Sequence, residues 1–210
     1  MVIREKDLPR VELQLLEVPS LKRFSESLNL AIEKDDFRRY IRRYLSIYLP
    51  DYPFEISSTN RYVIKTHEAT IITRKLIKVG EEIKHLSSIR AILTEEEAKD
   101  LIRRGRGFSI VESTRNHTTS YLFGLVGLLN HDYEPNARLT STGTTSIKTL
   151  AITDIGIGEE ITVSYNVDYF GDDNCECLCK TCKVSCRNGW ISGDRISFYR
   201  SLEALLRYKS

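Results

Sequence analysis

Five cysteines carry the most specific chemical signal in the chain. None occurs in the first 174 of 210 residues, and all five then fall between Cys175 and Cys186. Disulfides that staple distant loops would be spread along the sequence, so this crowding reads as a metal knuckle in a reducing compartment. Cys177, Cys179 and Cys182 have the C-x-C-x-x-C spacing that lets three thiolates share one tetrahedral Zn(II) at about 2.3 Å. A structural zinc site takes a fourth donor. Cys175 and Cys186 flank the trio; a turn closes the three residues between Cys182 and Cys186 easily, which makes Cys186 the expected fourth ligand and Cys175 the alternative. Few apolar residues lie nearby, so the metal would supply the local order, worth roughly 10–16 kcal/mol in small modules.

Two other stretches place polar side chains where plain core is not expected. In LLNHDYEPNARL, two asparagines, a histidine and a proline follow an apolar segment. Polar groups packed against buried backbone must be hydrogen-bonded; a tight turn capped by Asn and Asp is the simpler reading. GEEITVSYNVDYFG, taken alone, is a glycine turn, two acids and a strand.

The elements that must hold these stretches follow from periodicity. Phe37, Tyr40, Ile41, Tyr44, Leu45 and Tyr48 recur at helical spacing, with Asp35 or Asp36 as N-cap. Arg38, Arg39, Arg42 and Arg43 form the other face, expected to be solvated, with nucleic-acid contact as the rival reading. A shorter helix, SLKRFSESLNL, precedes it. Short segments rich in Ile, Val and Thr between Phe54 and Leu93 predict strands of an antiparallel or mixed sheet. Thr94 and Glu97 form a capping box for a helix that closes near Gly105. Strands follow at FSIVEST, NARLTST and TSIKTLAIT, the last two a hairpin around Gly143. Ile196, Tyr199, Leu202, Leu205 and Leu206 predict a C-terminal helix capped by Asp194.

Composition narrows the class. At 24.2 kDa and 41% hydrophobic, the chain is expected to be a folded, soluble domain with an appendage, or two small ones. A net charge of +2 creates no field that drives it onto nucleic acid, so no sequence-specific DNA binding is expected. The longest apolar stretch, Tyr121 to Leu129, is about half the ~18 residues of a membrane span, and MVIREKDLPR lacks the apolar run of a signal peptide.

In this order and spacing the three stretches resemble a SET-domain protein lysine methyltransferase followed by its post-SET zinc segment. LLNHDYEPN is similar to the NHxCxPN motif, GEEITVSY to GEExxxxY, and CECLCKTC to the CxCxxC tail. FEISSTNRY, GFSIVESTR, NHDYEPNARLTSTG and YFGDDNCECLCKTC extend the likeness, from about Phe37 to Trp190, to the suppressor-of-variegation 4-20 type enzymes of histone H4 lysine-20 and their fungal relatives. The resemblance implies an α+β, mostly-β pseudoknotted fold. Residues 1–50 would form an N-terminal helical region, 51–170 the SET domain, 171–190 the post-SET segment and 191–210 a C-terminal helix.

Carried onto this sequence, the resemblance implies that Asn130 and His131 hold S-adenosylmethionine and that Tyr165, threaded beneath their loop, stands beside the methyl transfer. Glu68 and Ala69 fall at the first cofactor strand, and Trp190 at the aromatic lid over the adenine. The reaction is an in-line attack of a neutral lysine amine on a sulfonium methyl. Alignment is the main task, worth about 7–11 kcal/mol, and a lysine of pKa ~10.4 must shed its proton first. Tyr165, with a phenol pKa of ~10, is better suited to orienting the amine than to removing that proton. The implied partners are the H4 tail in nucleosomes and a chromatin reader that recruits the enzyme, in the nucleus. A non-catalytic chromatin-binding module and an enzyme for a non-histone lysine are the alternatives. A basic tail calls for acids, and Glu112, Glu134, Asp168, Asp172 and Asp173 lie in or near the motif loops. Two positions depart from the family. Tyr133 replaces the cysteine of NHxC, and Glu68 stands where relatives have glycine. Without that shared cysteine the knuckle is expected to be self-contained, with no direct clamp to the NHDYEPN loop.

Overall fold

The structure, a computed structural model, describes residues 6–59, 68–113, 118–143, 145–165 and 168–191. The C-terminal helix expected over 191–210 falls, beyond Ile191, outside the described residues. The chain forms two compact units, Met1–Ile56 and Ser57–Ser210. No helix among the described residues is long and apolar enough to cross a membrane.

Among the described residues, the first unit holds three helices: α1 (Leu8–Leu16), α2 (Pro19–Ser27) and α3 (Ala31–Ser46). Asp7 caps α1 by accepting from the backbone N–H of Arg10 at 3.0 Å. The helix α3 starts four residues ahead of the N-cap expected at Asp35. The Glu33 carboxylate reaches back to accept from the N–H groups of Asn29 and Leu30, both at 3.1 Å, and so satisfies the donors of the first turn. Asp36 instead pairs with Arg39. Ile41 and Leu45 face the core of this unit with Ile47, Tyr52 and Phe54, whereas Tyr40 and Tyr48 are exposed. The arginine face is exposed, as expected, and two of its members also reach the buried Glu12 carboxylate: Arg42, whose Nη2 lies at 3.1 Å, and Arg38 at 3.9 Å.

The second unit begins within β1 (Phe54–Thr59). Five of its strands are β3 (Glu82–Ile92), β4 (Ile110–Ser113), β5 (Thr118–Gly124), β7 (Ala137–Thr142) and β8 (Ser146–Ala151). They form the main layer, an antiparallel sheet in the order β4–β5–β3–β8–β7. The hairpin around Gly143 and the capping box of α4 (Glu95–Arg103) are both as the sequence predicts. The FSIVEST strand is shorter than expected, because Gly107–Ser109 form a 3-10 turn ahead of Ile110.

Against this layer, β2 (Glu68–Thr73) runs beside the GEE segment: Ile161 N–H donates to Ile71 O and Thr73 N–H to Glu159 O, both at 2.9 Å. A parallel two-stranded pair joins β6 (Asn130–His131) to β9 (Thr162–Val163), in register Asn130 to Thr162 and His131 to Val163. Ile71, Leu86, Leu129, Ile155 and Ile161 are essentially without solvent contact and form the core beneath them.

Gly124 decides how β5 leaves the sheet. At φ +121° and ψ −168° it occupies backbone space that side chains avoid, and a Cβ would stand 2.9 Å from Ser87 O. The chain then turns through a 3-10 segment, Leu125–Leu128, that delivers Asn130 and His131. Gly124→Ala is therefore expected to cost about 2–3 kcal/mol in denaturant unfolding. Gly143→Ala, at φ +71° in open space, should cost only about 1 kcal/mol.

Candidate active site and cysteine knuckle

The parallel pairing of β6 with β9 assembles the site. It continues through Asp132, whose N–H donates to Val163 O at 3.1 Å, and so lays Tyr165, two residues past β9, alongside His131. Tyr165 is then held at both ends. Its N–H donates to His131 Nδ1 at 3.0 Å, and its hydroxyl donates to the Leu129 carbonyl. Ring centroids place His131 5.5 Å, Tyr169 4.7 Å and Phe170 6.0 Å from Tyr165, Phe170 lying nearly parallel to it. Because its hydrogen goes to Leu129, the Tyr165 oxygen presents lone pairs: it is an acceptor at one end of an aromatic wall.

The polar residues of NHDYEPN are brackets, as their buried surroundings require. Asn136 donates from Nδ2 to Glu160 O at 2.7 Å, and its Oδ1 accepts from Thr162 N–H at 2.9 Å. Glu160 in turn accepts at one oxygen, Oε1, from Thr70 at 2.6 Å and from Asn130 Nδ2 at 2.8 Å. The half-buried Asn130 amide is thereby fixed with its oxygen left as an acceptor, and β2, carrying Glu68 and Ala69, is drawn to the same place. That open acceptor fits a cofactor that brings amino groups. Ala69 is exposed, and Glu68 is half-buried, its carboxyl pushed above the usual range by that burial. A carboxylate here opposes an incoming anionic group.

Cys177, Cys179 and Cys182 are fully buried together, packed by Tyr133, Phe170 and Trp190. N–H groups point at their sulfurs, Cys182 N to Cys179 Sγ at 3.4 Å and Asn188 Nδ2 to Cys182 Sγ at 3.3 Å. Burial pushes the Cys177 and Cys182 thiols up, so thiolates need a cation at this place, and three converging sulfurs with N–H support fit one. Cys186 stands apart from the buried trio. The helix α5 (Lys180–Val184) turns Cys182 inward and ends, leaving Cys186 exposed at φ +48° with its sulfur 3.9 Å from Lys183 O. Cys175 is exposed as well. The nitrogen of His131 comes within 4.8 Å of the sulfurs of Cys177 and Cys179. Its Nδ1 lone pair already accepts from Tyr165, however, so in the neutral ring the proton sits on Nε2 and no lone pair faces a metal.

Trp190 follows Gly189, whose N–H donates to Cys177 O at 3.2 Å and whose missing Cβ would meet Leu178 at 2.7 Å. The indole rests against the cysteines, with the Lys183 ammonium 5.1 Å from its centroid. The knuckle is also joined to the NHDYEPN loop, contrary to the expectation of a self-contained unit: Asp132 bonds Lys180 and Thr181, and Arg187 lies 4.5 Å over the Tyr133 ring. Of the acids considered for a basic substrate, Asp168, Asp172 and Asp173 are exposed, and Asp168 accepts from Asp173 N–H at 2.7 Å. Glu134 lines a cleft of about 520 Å³ with Asp132, Glu159, Glu160 and Lys180. That cleft touches none of Asn130, His131, Tyr165 or Trp190. The side chain of Glu112 lies outside the described residues.

Comparison with known proteins agrees with this geometry. Residues 71–166 match the family model of the SET domain, so the chain carries a SET domain. It is similar to proteins named histone-lysine N-methyltransferase set9. The Aspergillus terreus protein is 49% identical over 189 residues, and that of Aspergillus fumigatus 50% over 189; in both cases the match covers 90% of this chain and 30% of the relative. The Chaetomium globosum protein is 44% identical over 203 residues, 96% of this chain and 28% of the relative. The chain thus spans about 30% of the length of these curated relatives.

Sequence reasoning has no means of finding the bridge from Thr70 through Glu160 to Asn130, since its members lie up to 90 residues apart. The bridge predicts a graded result in thermal unfolding. Glu160→Ala leaves two donors without their acceptor and should cost about 1–3 kcal/mol. Glu160→Gln keeps an oxygen between them and should cost less than half as much.

Proposed function

We propose that the protein is an S-adenosylmethionine-dependent histone-lysine methyltransferase that acts in the nucleus on lysine-20 of the H4 tail in nucleosomes, brought there by a chromatin-reading partner. One observation carries the reading. Tyr165 is pinned through its N–H to His131 and through its hydroxyl to Leu129, so that an acceptor oxygen is aimed along an aromatic wall. The relatives' names support the histone-lysine class, and the quoted motifs support the H4 site.

S-adenosylmethionine, when bound, supplies a methyl group on a positively charged sulfur. Asn130 would bind it through the amide oxygen that Glu160 leaves open, with His131, Glu68, Ala69 and Trp190 as its other neighbours. Tyr165 accepts from an N–H of the neutral substrate amine and turns the nitrogen lone pair toward the methyl. The rings of Tyr169, Phe170 and His131 line that approach, and desolvation of the lysine as it enters would disfavour its protonated form. Zn(II) would be held by Cys177, Cys179 and Cys182, with Cys186 completing the set once its segment turns inward. The exposed pair Asp172 and Asp173 would meet the basic tail.

Incubation with labelled S-adenosylmethionine and nucleosomes should place methyl on H4 alone, and loss of label when lysine-20 is replaced by arginine confirms the site. Cofactor binding without methyl on any histone would leave a non-catalytic module or another substrate. Tyr165→Phe should retain S-adenosylhomocysteine binding and lose about a hundredfold in turnover; full turnover would mean that the phenol does not orient the amine. Metal analysis should find one zinc per chain, lost in Cys179→Ser. Loss in Cys175→Ser with retention in Cys186→Ser would exchange the fourth ligand.

A further inference from the structure

Asp132 sits between His131 and Tyr133, is 4% exposed, and has a side chain to which the reaction gives no task. Its backbone belongs to the catalytic strand pair, since its N–H extends the β6–β9 pairing onto Val163 O. Its carboxylate belongs to the knuckle. Oδ2 accepts from Lys180 N–H at 3.1 Å, and Oδ1 accepts from the Thr181 hydroxyl and from Glu134 N–H at 3.1 Å. Lys180 and Thr181 form the start of α5, between Cys179 and Cys182. One buried carboxylate therefore spans from the strand that fixes Tyr165 to the segment that carries the thiols.

We infer that Asp132 is a positioning residue that seats the cysteine knuckle, and with it Trp190, on the β6–β9 pair. It performs by hydrogen bonding the attachment that a thiolate at position 133 would make through a metal. Tyr133 completes the seat. Its ring packs against the buried cysteines, with the His131 ring centroid at 5.2 Å and the Arg187 guanidinium at 4.5 Å. The Asp132 carboxyl group matters because two N–H donors and one hydroxyl converge on its oxygens, and truncating it would leave them without their acceptor. The consequence for the cofactor rests on the function proposed above: with the seat intact, Trp190 is held where the adenine would lie, and cofactor affinity includes the energy of that preorganisation.

The chain has a single tryptophan, so its fluorescence reads the seat directly. In Asp132→Ala, Trp190 emission should shift to the red with metal content equal to wild type. The S-adenosylhomocysteine Kd measured by calorimetry should rise about ten- to hundredfold. KM for S-adenosylmethionine should rise by the same factor, with kcat within about twofold of wild type. Thr181→Val, which removes one of the three bonds and threatens folding less, should shift emission and Kd the same way by a smaller amount, and add nothing in the Asp132→Ala background. Asp132→Asn, which keeps an acceptor for Thr181 but offers an amide to Lys180 N–H, should fall between. Unchanged emission and Kd in both Asp132→Ala and Thr181→Val would overturn the inference. So would loss of the metal in step with the shift, since Asp132 would then serve the metal site itself. A wild-type chain that fails to bind S-adenosylhomocysteine would overturn the cofactor reading alone; the emission shift decides the seating either way.

Discussion

Two residues of parallel pairing, Asn130–His131 against Thr162–Val163, hold together everything that the site requires. A ladder this short is not stable by itself. It stands because the side chains on both flanks repeat the connection. Asn136 bonds Glu160 and Thr162 from one end, Glu160 bonds Asn130 and Thr70 from beneath, and Tyr165 returns to His131 and Leu129 from the other. Each of these polar groups would be expensive to bury alone. Bonded to one another they have few alternative arrangements, and the position of the Tyr165 hydroxyl follows from the network rather than from any single contact.

That origin explains how polar side chains can be held in place over a buried apolar floor. Leu86 of the five-stranded layer packs in the buried floor with Ile71 of β2 and with Leu129 and Ile161, which flank the β6–β9 pair, and Gly124 turns the chain out of the layer at a fixed angle. The network then needs only short strands and turns. Orientation of the reacting groups is what the proposed methyl transfer would draw on most, and an acceptor fixed beforehand avoids the entropy of fixing it later.

What is legible in the sequence is local. The capping box at Thr94, the hairpin at Gly143 and the strands of the sheet each depend on residues within a few positions of one another, and the structure has them. The start of α3 escapes a linear reading because three carboxylates compete there, and Glu33, three residues into the helix, reaches two backbone donors that Asp35 and Asp36 do not. The arginine row is exposed as its spacing predicts, but its anchoring to Glu12 escapes a linear reading, since Arg42 and Glu12 lie 30 residues apart. The motif residues Asn130, His131 and Tyr165 are found by resemblance and do come together. Their supports, Thr70, Glu160 and Asp132, are not, since nothing in a linear pattern tells which way a side chain points.

The replacement at position 133 shows why such supports are needed. A cysteine there would tie the motif loop to the knuckle through a metal, a bond of fixed length and direction. Tyrosine cannot make that bond, and its bulk alone gives packing without direction. Direction is restored next door: Asp132 meets Lys180 and Thr181 with oxygens fixed by the strand, while the Tyr133 ring, flanked by His131 and Arg187, fills the volume. The two tasks of one ligand, order inside the knuckle and attachment to the core, are thereby separated onto different residues. Order inside remains with the three buried thiols and the Gly189 turn packed on them. Attachment becomes a matter of hydrogen bonds to one carboxylate, whose direction is set by the strand that carries Asp132 rather than by the coordination geometry of a metal.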